Sequence, residues 1–377
     1  MVTFSGHAYP WDVLGDPDFT ARVAAHGIPA VTLAASYHST RAATPLHPDH
    51  QIVDASFAAL YRPVRESVWH GRRLRPRALQ WMDAADPYGR AAEELHTAGL
   101  SVAAWIVLTH NTRLGTAFPE LTVVNCFGER YPYALCPAQE EVRDYAATLA
   151  AEAIRDAPAD AVSLEACGQL GVTHLSHHEK TDGAWTPEAA RSLSVCCCAA
   201  CAAAWSGRGL DPAEVTAALR AAVHGEAVGA PEPLDAAVEA QILGGRHASA
   251  DRLRAQVLAA IREVTPDIPV TLHANPDPWA TGPSPGITPA ALSEVDALLV
   301  PAWPTIAATA DAIADAARLG IPVDAYVTVL SPAAEDEVLP HVERLVAAGA
   351  RRLSLYHLGL APRWKQPLFA EVVAAFG

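Results

Sequence analysis

Eight short apolar segments, separated by helical patterns, restrict what this 377-residue chain can fold into. They are Val2–His7, Pro29–Tyr37, Ser101–His110, Ala161–Glu165, Pro269–His273, Ala297–Trp303, Pro322–Leu330 and Arg351–His357. Each is almost continuously hydrophobic, often β-branched, and bounded by Gly, Pro or polar residues, as strands buried on both faces are. Between them the pattern predicts helices, among them Asp86–Ala98, Ala138–Arg155, Thr305–Leu319 and Glu335–Ala348. Several open on Asp, Pro or Thr and stop at Gly. The segments AGLSVAAW, RLGIPVDAY and AAGARRLSLY repeat one design, in which a helix ends near glycine and a buried strand begins. Eight such units predict an α/β fold, a closed (β/α)8 TIM barrel, in preference to an open doubly wound sheet. No glycine-rich phosphate loop follows the first strand, which weakens a nucleotide-binding version of that open sheet.

The whole chain, residues 1–377, reads as one catalytic barrel with long insertions after strands 2 and 4. The insertions are residues 39–85 and 166–264. Long connections after barrel strands build the substrate face, so the residues to weigh sit at strand C-terminal ends. They are His7 and Tyr9, Tyr37 and His38, His110 and Asn111, Glu165, His273 and Asn275, Trp303, Tyr326 and Thr328, and Tyr356 and His357. Polar and aromatic groups at nearly every strand end are not what core packing demands. They suit a pocket that hydrogen-bonds a polyol and stacks a sugar ring on flat faces. For any one of these histidines, a satisfied half-buried side chain is the plainer reading.

Glu165 follows an apolar strand directly, so its carboxyl is expected at the pocket rim. Partial desolvation there would raise its pKa and suit a general acid. A salt bridge inside the barrel is the competing role. Glycoside hydrolysis needs a second carboxylate. Glu179, in HLSHHEK, is the nearest in sequence and is taken as the partner; Glu129 and Asp83 are weaker candidates.

Cysteines 196, 198 and 201 form a Cys-x-Cys-x-x-Cys run. Thiolates at that spacing can wrap one side of a tetrahedral zinc ion. From spacing alone the fourth ligand is open: Cys136, Cys126, or a histidine of His174-x-x-His177-His178. A mixed site of His174 and His178 with Cys198 and Cys201 is chemically sound as well. The competing reading makes the cysteines small hydrophobes on the alanine-rich stretch CCCAACAAAW. A four-thiolate site would be closed and structural, whereas a site with histidine could keep an open, catalytic position.

Taken together these residues resemble the (β/α)8 retaining glycoside hydrolases, and within them the family 42 β-galactosidases. The resemblance covers roughly residues 100–205 and rests on Glu165, on Cys196, Cys198 and Cys201, and on Cys136 in LCPAQEEVRDY. It implies an acid/base glutamate at Glu165 and a structural Zn2+ held by Cys136, Cys196, Cys198 and Cys201. The chain departs from the family at two places. Leu164 stands where the family has an asparagine before the acid. The seventh strand reads DAYVTVLSP, without the family's nucleophilic glutamate, and Glu335, Asp336 and Glu337 beyond it open the next helix.

Composition excludes several classes. The formal charge of −15 argues against a nucleic-acid partner, which requires a basic field. Apolar runs such as Ser101–Leu108 are far shorter than the ~20 residues of a membrane-spanning helix. The start, MVTFSGHAYPWD, lacks a secretory pattern, and seven cysteines, four of them between 196 and 201, suit metal or structural thiols in a cytoplasmic protein. The alanine-, arginine- and proline-rich, lysine-poor usage is of the kind a GC-rich bacterial genome encodes. Self-association into a homo-oligomer stays open.

The expectation is therefore a carbohydrate-active hydrolase on a small-molecule carbohydrate substrate, with Glu165 as general acid/base and Glu179 as the second carboxylate. Tyr37, His38, His110, Asn111, His177, His178, His273, Asn275, Trp303, Tyr326, Tyr356 and His357 would bind the sugar. One alternative is a metal-dependent hydrolase, lyase or isomerase acting on a small polar metabolite through His174, His177, His178 and Glu179. Another is a non-catalytic carbohydrate-binding barrel.

Overall fold

The structure is a computed structural model that describes residues 2–174, 180–181 and 183–377. Eight parallel strands close on themselves. They are β1 (Thr3–Ala8), β2 (Ala30–Tyr37), β3 (Ser101–Val107), β4 (Ala161–Glu165), β5 (Val270–His273), β6 (Ala297–Pro301), β7 (Val323–Thr328) and β8 (Arg352–Tyr356). Each pairs with the next, and β1 pairs with both β2 (Gly6↔Val31) and β8 (Thr3↔Arg352), which shuts the ring. The expected (β/α)8 barrel is the observed fold.

The helices packed outside are α1 (Phe19–Ala25), α2 (Pro87–Thr97), α3 (Glu140–Ile154), α4 (Ala236–Val264), α5 (Ala307–Ala317), α6 (Glu335–Ala347) and α7 (Gln366–Phe376). Their starts follow local chemistry. In α2, Pro87 occupies the first turn and the Asp86 carboxylate accepts from the Gly89 N–H at 2.9 Å. Its buried stripe of Tyr88, Ala91, Ala92 and Leu95 faces the sheet. The regular alternation fails once. Between β5 and β6 there is only a 3-10 turn, Pro289–Ser293, in an otherwise irregular connection. Pro and Gly crowd residues 276–289, and no helical period survives there.

Both expected insertions are present. After β2, a hairpin pairs Thr40–Ala43 with Ile52–Ala55, and Ala59–Leu60 then returns antiparallel to Ser36–Tyr37. After β4 come helices Pro187–Leu193, Ala199–Ser206 and Pro212–Ala227 before α4. The loop after β3 is a third insertion that periodicity did not reveal. It holds a short helix, Thr112–Ala117, and a hairpin of Thr122–Val124 with Arg130–Leu135. All three extend from strand C-terminal ends, so they build one face of the barrel. Among the described residues, no helix is long and apolar enough to cross a membrane.

Candidate active site

The inside of the barrel is more polar than the branched aliphatic filling usual for this fold. Ser5 and Ser354 hydroxyls meet at 3.1 Å, Arg352 donates to Thr271 Oγ1 at 2.9 Å, and the same guanidinium pairs with buried Asp324. Strand alternation carries this inward set upward. Ser163 is followed by Glu165, Thr271 by His273, Ser5 by His7, and Asp324 by Tyr326.

Glu165 ends β4 and is only 4% exposed. Trp105, its diagonal neighbour on β3, donates its indole N–H to Glu165 Oε2 at 2.8 Å. Burial pushes the carboxyl up to about 8, against the opposing pull of that hydrogen bond. The next residue, Ala166, sits in the left-handed region at φ 54°, rare for a residue with a Cβ. Its N–H donates to Pro283 O at 2.8 Å and its carbonyl accepts the Thr109 hydroxyl at 2.7 Å. These bonds hold the sharp exit that leaves Glu165 inside the barrel.

His273 Nδ1 lies 3.7 Å from Glu165 Oε2, while its Nε2 meets the Ser163 hydroxyl at 2.9 Å. Burial drops this imidazole to about 3. At neutral pH, then, acid and imidazole are both uncharged, and their approach is a dipolar contact rather than an ion pair. His7 packs against Trp105 (4.8 Å between ring centres) and Tyr326 (4.4 Å). It is fully buried and neither of its ring nitrogens has a protein partner. Burial and the neighbouring His273, His357 and Arg352 hold it neutral.

Aromatic rings close over this centre. Tyr356 packs on Trp303 at 4.7 Å and edge-on to Tyr326 at 5.5 Å. Tyr37 meets Trp105 edge-on at 4.6 Å. A register shift between Ala34 and Ser36 in the pairing of β2 with β3 lies just ahead of Tyr37, a device that re-aims a strand end. Tyr37, His273, Tyr326 and Tyr356 lie around Glu165, and Trp303 packs on Tyr326 and Tyr356 beyond them. His38 and His110 stand one ring further out, stacked at 4.4 Å.

Other expected residues are used differently. Asn111 caps the helix Thr112–Ala117 by accepting from Leu114 N at 3.0 Å, and its amide donates to Tyr145 at 3.3 Å. Asn275 shapes a turn by accepting from Asp277 N at 2.9 Å. Short polar residues at strand exits satisfy backbone donors first, which strand-end position alone does not reveal. His357 stacks on Tyr9 at 4.4 Å and approaches Asp12 at 3.7 Å. Glu129 and Asp83 are surface residues, and Glu129 accepts from Asn125. His177, His178 and Glu179 lie outside the described residues.

The sequence reading missed Trp105, which is mid-strand rather than at a strand end. It also missed Asp12, a buried carboxyl that accepts from Tyr9 N at 2.8 Å and is raised by burial to about 8. The signal for Trp105 was available in the two-residue alternation inward from its strand end.

The buried titratable groups set a pH dependence of stability. His7, His26, His38, His110, His247, His273, His341 and His357 are all held below 6.5, with His273 and His357 at about 3 and His38 at about 4. The unfolded chain takes up those protons as pH falls below 6.5, so stability falls with it. Glu165 and Asp12 are held at about 8 and Asp324 at about 6, so they keep protons that the unfolded chain loses above about 4–4.5. Their contribution falls as pH rises. Each unmatched proton is worth about 1.4 kcal/mol per pH unit. Eight histidines outweigh three acids below 6.5, and the acids dominate above it. The thermal midpoint should peak near pH 6.5 and decline on both sides; a plateau from pH 5 to 9 would contradict these burial assignments.

A second cluster lies beside the barrel. Among the described residues, the Sγ atoms of Cys136, Cys196, Cys198 and Cys201 all lie within 4.8 Å of one another. Cys136 is 3.7 Å from Cys201 and 3.8 Å from Cys198. Disulfides require about 2.0 Å, whereas a tetrahedron with metal–sulfur bonds of about 2.3 Å has edges near 3.8 Å. Four thiols at that separation fit a tetrahedral metal ion. Gln139 donates its amide to Cys198 Sγ at 3.6 Å, and buried Arg246 lies within electrostatic reach of three of the sulfurs. Cys126 and His174 are not in the group.

No family model and no curated protein matches the chain. Solved structures do. An α-L-fucosidase isoenzyme 2 from Paenibacillus thiaminolyticus superposes with TM-score 0.60 at 14% identity, over 100% of this chain and 49% of that one. A β-galactosidase from Bacillus circulans sp. alkalophilus gives 0.60 at 13%, over 98% and 55%. The catalytic domain of a β-amylase from Paenibacillus polymyxa gives 0.58 at 12%, over 99% and 98%. The chain thus spans about half the length of the fucosidase and galactosidase. At these identities the likeness is one of architecture: the fold is a (β/α)8 barrel.

Proposed function

We propose that the protein is a glycoside hydrolase whose general acid is Glu165. The observation that carries this reading is a carboxyl at the C-terminal end of β4, pushed up to about 8 and ringed by Trp105, Tyr37, Tyr326 and Tyr356, with Trp303 beyond them. Such an acid is protonated at neutral pH and able to donate to a leaving oxygen. The tyrosine hydroxyls, His7 and His273 are the donors and acceptors for sugar hydroxyls. Both nitrogens of His7 and Nδ1 of His273 are buried without a protein hydrogen-bond partner, which supports a polar role for them. Glu179 remains our choice for the second carboxylate. Tyr326 occupies the seventh strand, and no other described carboxylate makes a contact with Glu165.

The four-thiolate cluster is read as a structural Zn2+ site. Four sulfur ligands leave no open position, so the ion would brace the loop after β4 and take no part in the reaction. Cys136, Cys196, Cys198 and Cys201 would hold it.

Two observations favour a second reading, the non-catalytic carbohydrate-binding barrel: Glu165 is nearly inaccessible, and the one carboxylate of β7, Asp324, lies below the strand end and is paired with Arg352. A screen of nitrophenyl glycosides and oligosaccharides separates the two. The hydrolase reading expects release of nitrophenol or reducing ends from at least one glycoside. Sugar-induced thermal stabilisation without turnover of any would select the binding barrel.

A further inference from the structure

Two arginines adjoin the four-thiol cluster, Arg143 on α3 and Arg246 on α4, and these helices pack against one another. Among the described residues, three arginines are buried: Arg62, Arg246 and Arg254. Arg62 pairs with Asp86, and Arg254 with Asp251 and Glu294. Arg246, 8% exposed, pairs with no carboxylate among the described residues. It donates to Ser194 O at 3.0 Å and Trp279 O at 3.3 Å, and its Nε is buried without a partner. Arg143 is half-buried and likewise forms no ion pair among the described residues. It donates to Pro137 O at 3.1 Å and Ala138 O at 2.7 Å, the two carbonyls that follow Cys136, and its Nε also lacks a partner.

Neutral carbonyls satisfy the donors but leave the positive charge unanswered, and a buried charge without a counter-charge is costly. The counter-charge lies in the cluster. Arg246, Cys196 and Cys201 line one cavity of about 10 Å³. That is room for about one water, so bulk solvent does not screen the guanidinium from the sulfurs. The electrostatic partners of Arg246 are Cys201 and Cys196 first, with exposed Asp277 after them. Arg143 faces Cys136, while Glu140 and Arg252 act on it in opposite senses. Four neutral thiols would give neither arginine a counter-charge. Four thiolates around a divalent ion leave the centre with two excess negative charges. The two arginines supply two positive ones.

We infer that Arg143 and Arg246 are the counter-charges of the metal centre, so that the cluster is built for a divalent ion held by four thiolates and both arginines govern how tightly that ion is kept. The inference rests on the reading of the cluster as a metal site. Each arginine acts through the ligands and is itself a positioning residue. It ties down carbonyls beside the ligating cysteines, Ser194 ahead of Cys196 and Pro137 and Ala138 after Cys136. Arg246 carries the larger share, because it is the more deeply buried and its charge is the less screened.

Competition with a chromophoric chelator measures zinc affinity in the full-length protein. Arg246→Gln is expected to weaken it by about 10–100-fold, the range for groups just outside a ligand set, and Arg143→Gln by less. Arg246→Lys keeps the charge without the paired bonds and should recover most of the loss. The thiolate absorption of the cobalt-loaded protein should be unchanged in all three variants, since no ligand is removed. Thermal unfolding adds a readout that packing alone would not move. Arg246→Gln should cost more stability in the zinc-loaded protein than in the chelated one, where the buried charge has no counter-charge. Zinc affinity unchanged in Arg246→Gln, or equal stability losses with and without zinc, would overturn the assignment. So would a lysine variant as weak as the glutamine one, which would give the effect to the bonds with Ser194 and Trp279. Should Arg246→Gln fail to fold, Arg143→Gln at its half-exposed site decides: an unchanged affinity there would overturn the role. An unaltered chain that binds neither zinc nor cobalt would sink the metal reading itself, and the counter-charge role with it.

Discussion

Glu165→Gln is expected to lower kcat on any glycoside the protein cleaves by about a thousandfold, within the range general acids supply. Glutamine keeps the volume and can still accept the Trp105 N–H, so folding is preserved while the transferable proton is lost. The pH profile carries the more particular signature. A carboxyl at about 8 is protonated across the neutral range. Activity that depends on the acid form should therefore hold through pH 7 and fall roughly tenfold per unit above about 8. Trp105→Phe removes the hydrogen bond that favours the ionised carboxylate, so its alkaline limb should move to higher pH. An unchanged kcat in Glu165→Gln, or an alkaline limb already falling at pH 5, would rule out Glu165 as the acid.

Cys198→Ser is expected to lower bound zinc from about one ion per chain to near none, measured by elemental analysis. Stability should fall by about 3–5 kcal/mol, the upper range for single substitutions, because metal binding is linked to folding. The same loss should follow exhaustive chelation of the unaltered protein, and added zinc should reverse it. The cluster joins Cys136, which lies between the hairpin after β3 and α3, to Cys196 and Cys198 just ahead of the helix Ala199–Ser206 and to Cys201 in its first turn. Removing the ion would free two insertions from one another and leave the barrel strands paired. Glycosidase turnover should fall less than stability does. Zinc retained at full stoichiometry in Cys198→Ser would show that another ligand set holds it.

The fold was legible because its signal is local and repeated. Eight apolar strands with glycine-terminated helices between them leave few alternatives, and their parallel closure follows from burial on both faces. The missing helix between β5 and β6 was less visible, since a strand–loop–strand unit differs from its neighbours only by an absent period. Cys136, Cys196, Cys198 and Cys201 were legible as a set only because short spacing fixes three of them. Spacing alone left Cys126 open; the family resemblance pointed to Cys136, and the distances between loops remote in sequence bring that residue, not Cys126, to the other three.

The site divides in the same way. Sequence by itself determined that Glu165 ends a buried strand among aromatic and imidazole neighbours, because strand periodicity fixes which side chains point inward. Tertiary structure alone decided what those neighbours do. It gave Trp105 to Glu165 as a donor, spent Asn111 and Asn275 on backbone caps, and buried Asp12 beneath Tyr9. It also set His38 against His110 beside a cleft that no single segment contains. Hydrogen bonds and desolvation depend on distances between strands, and closure of the ring sets those distances; the order of residues along the chain does not.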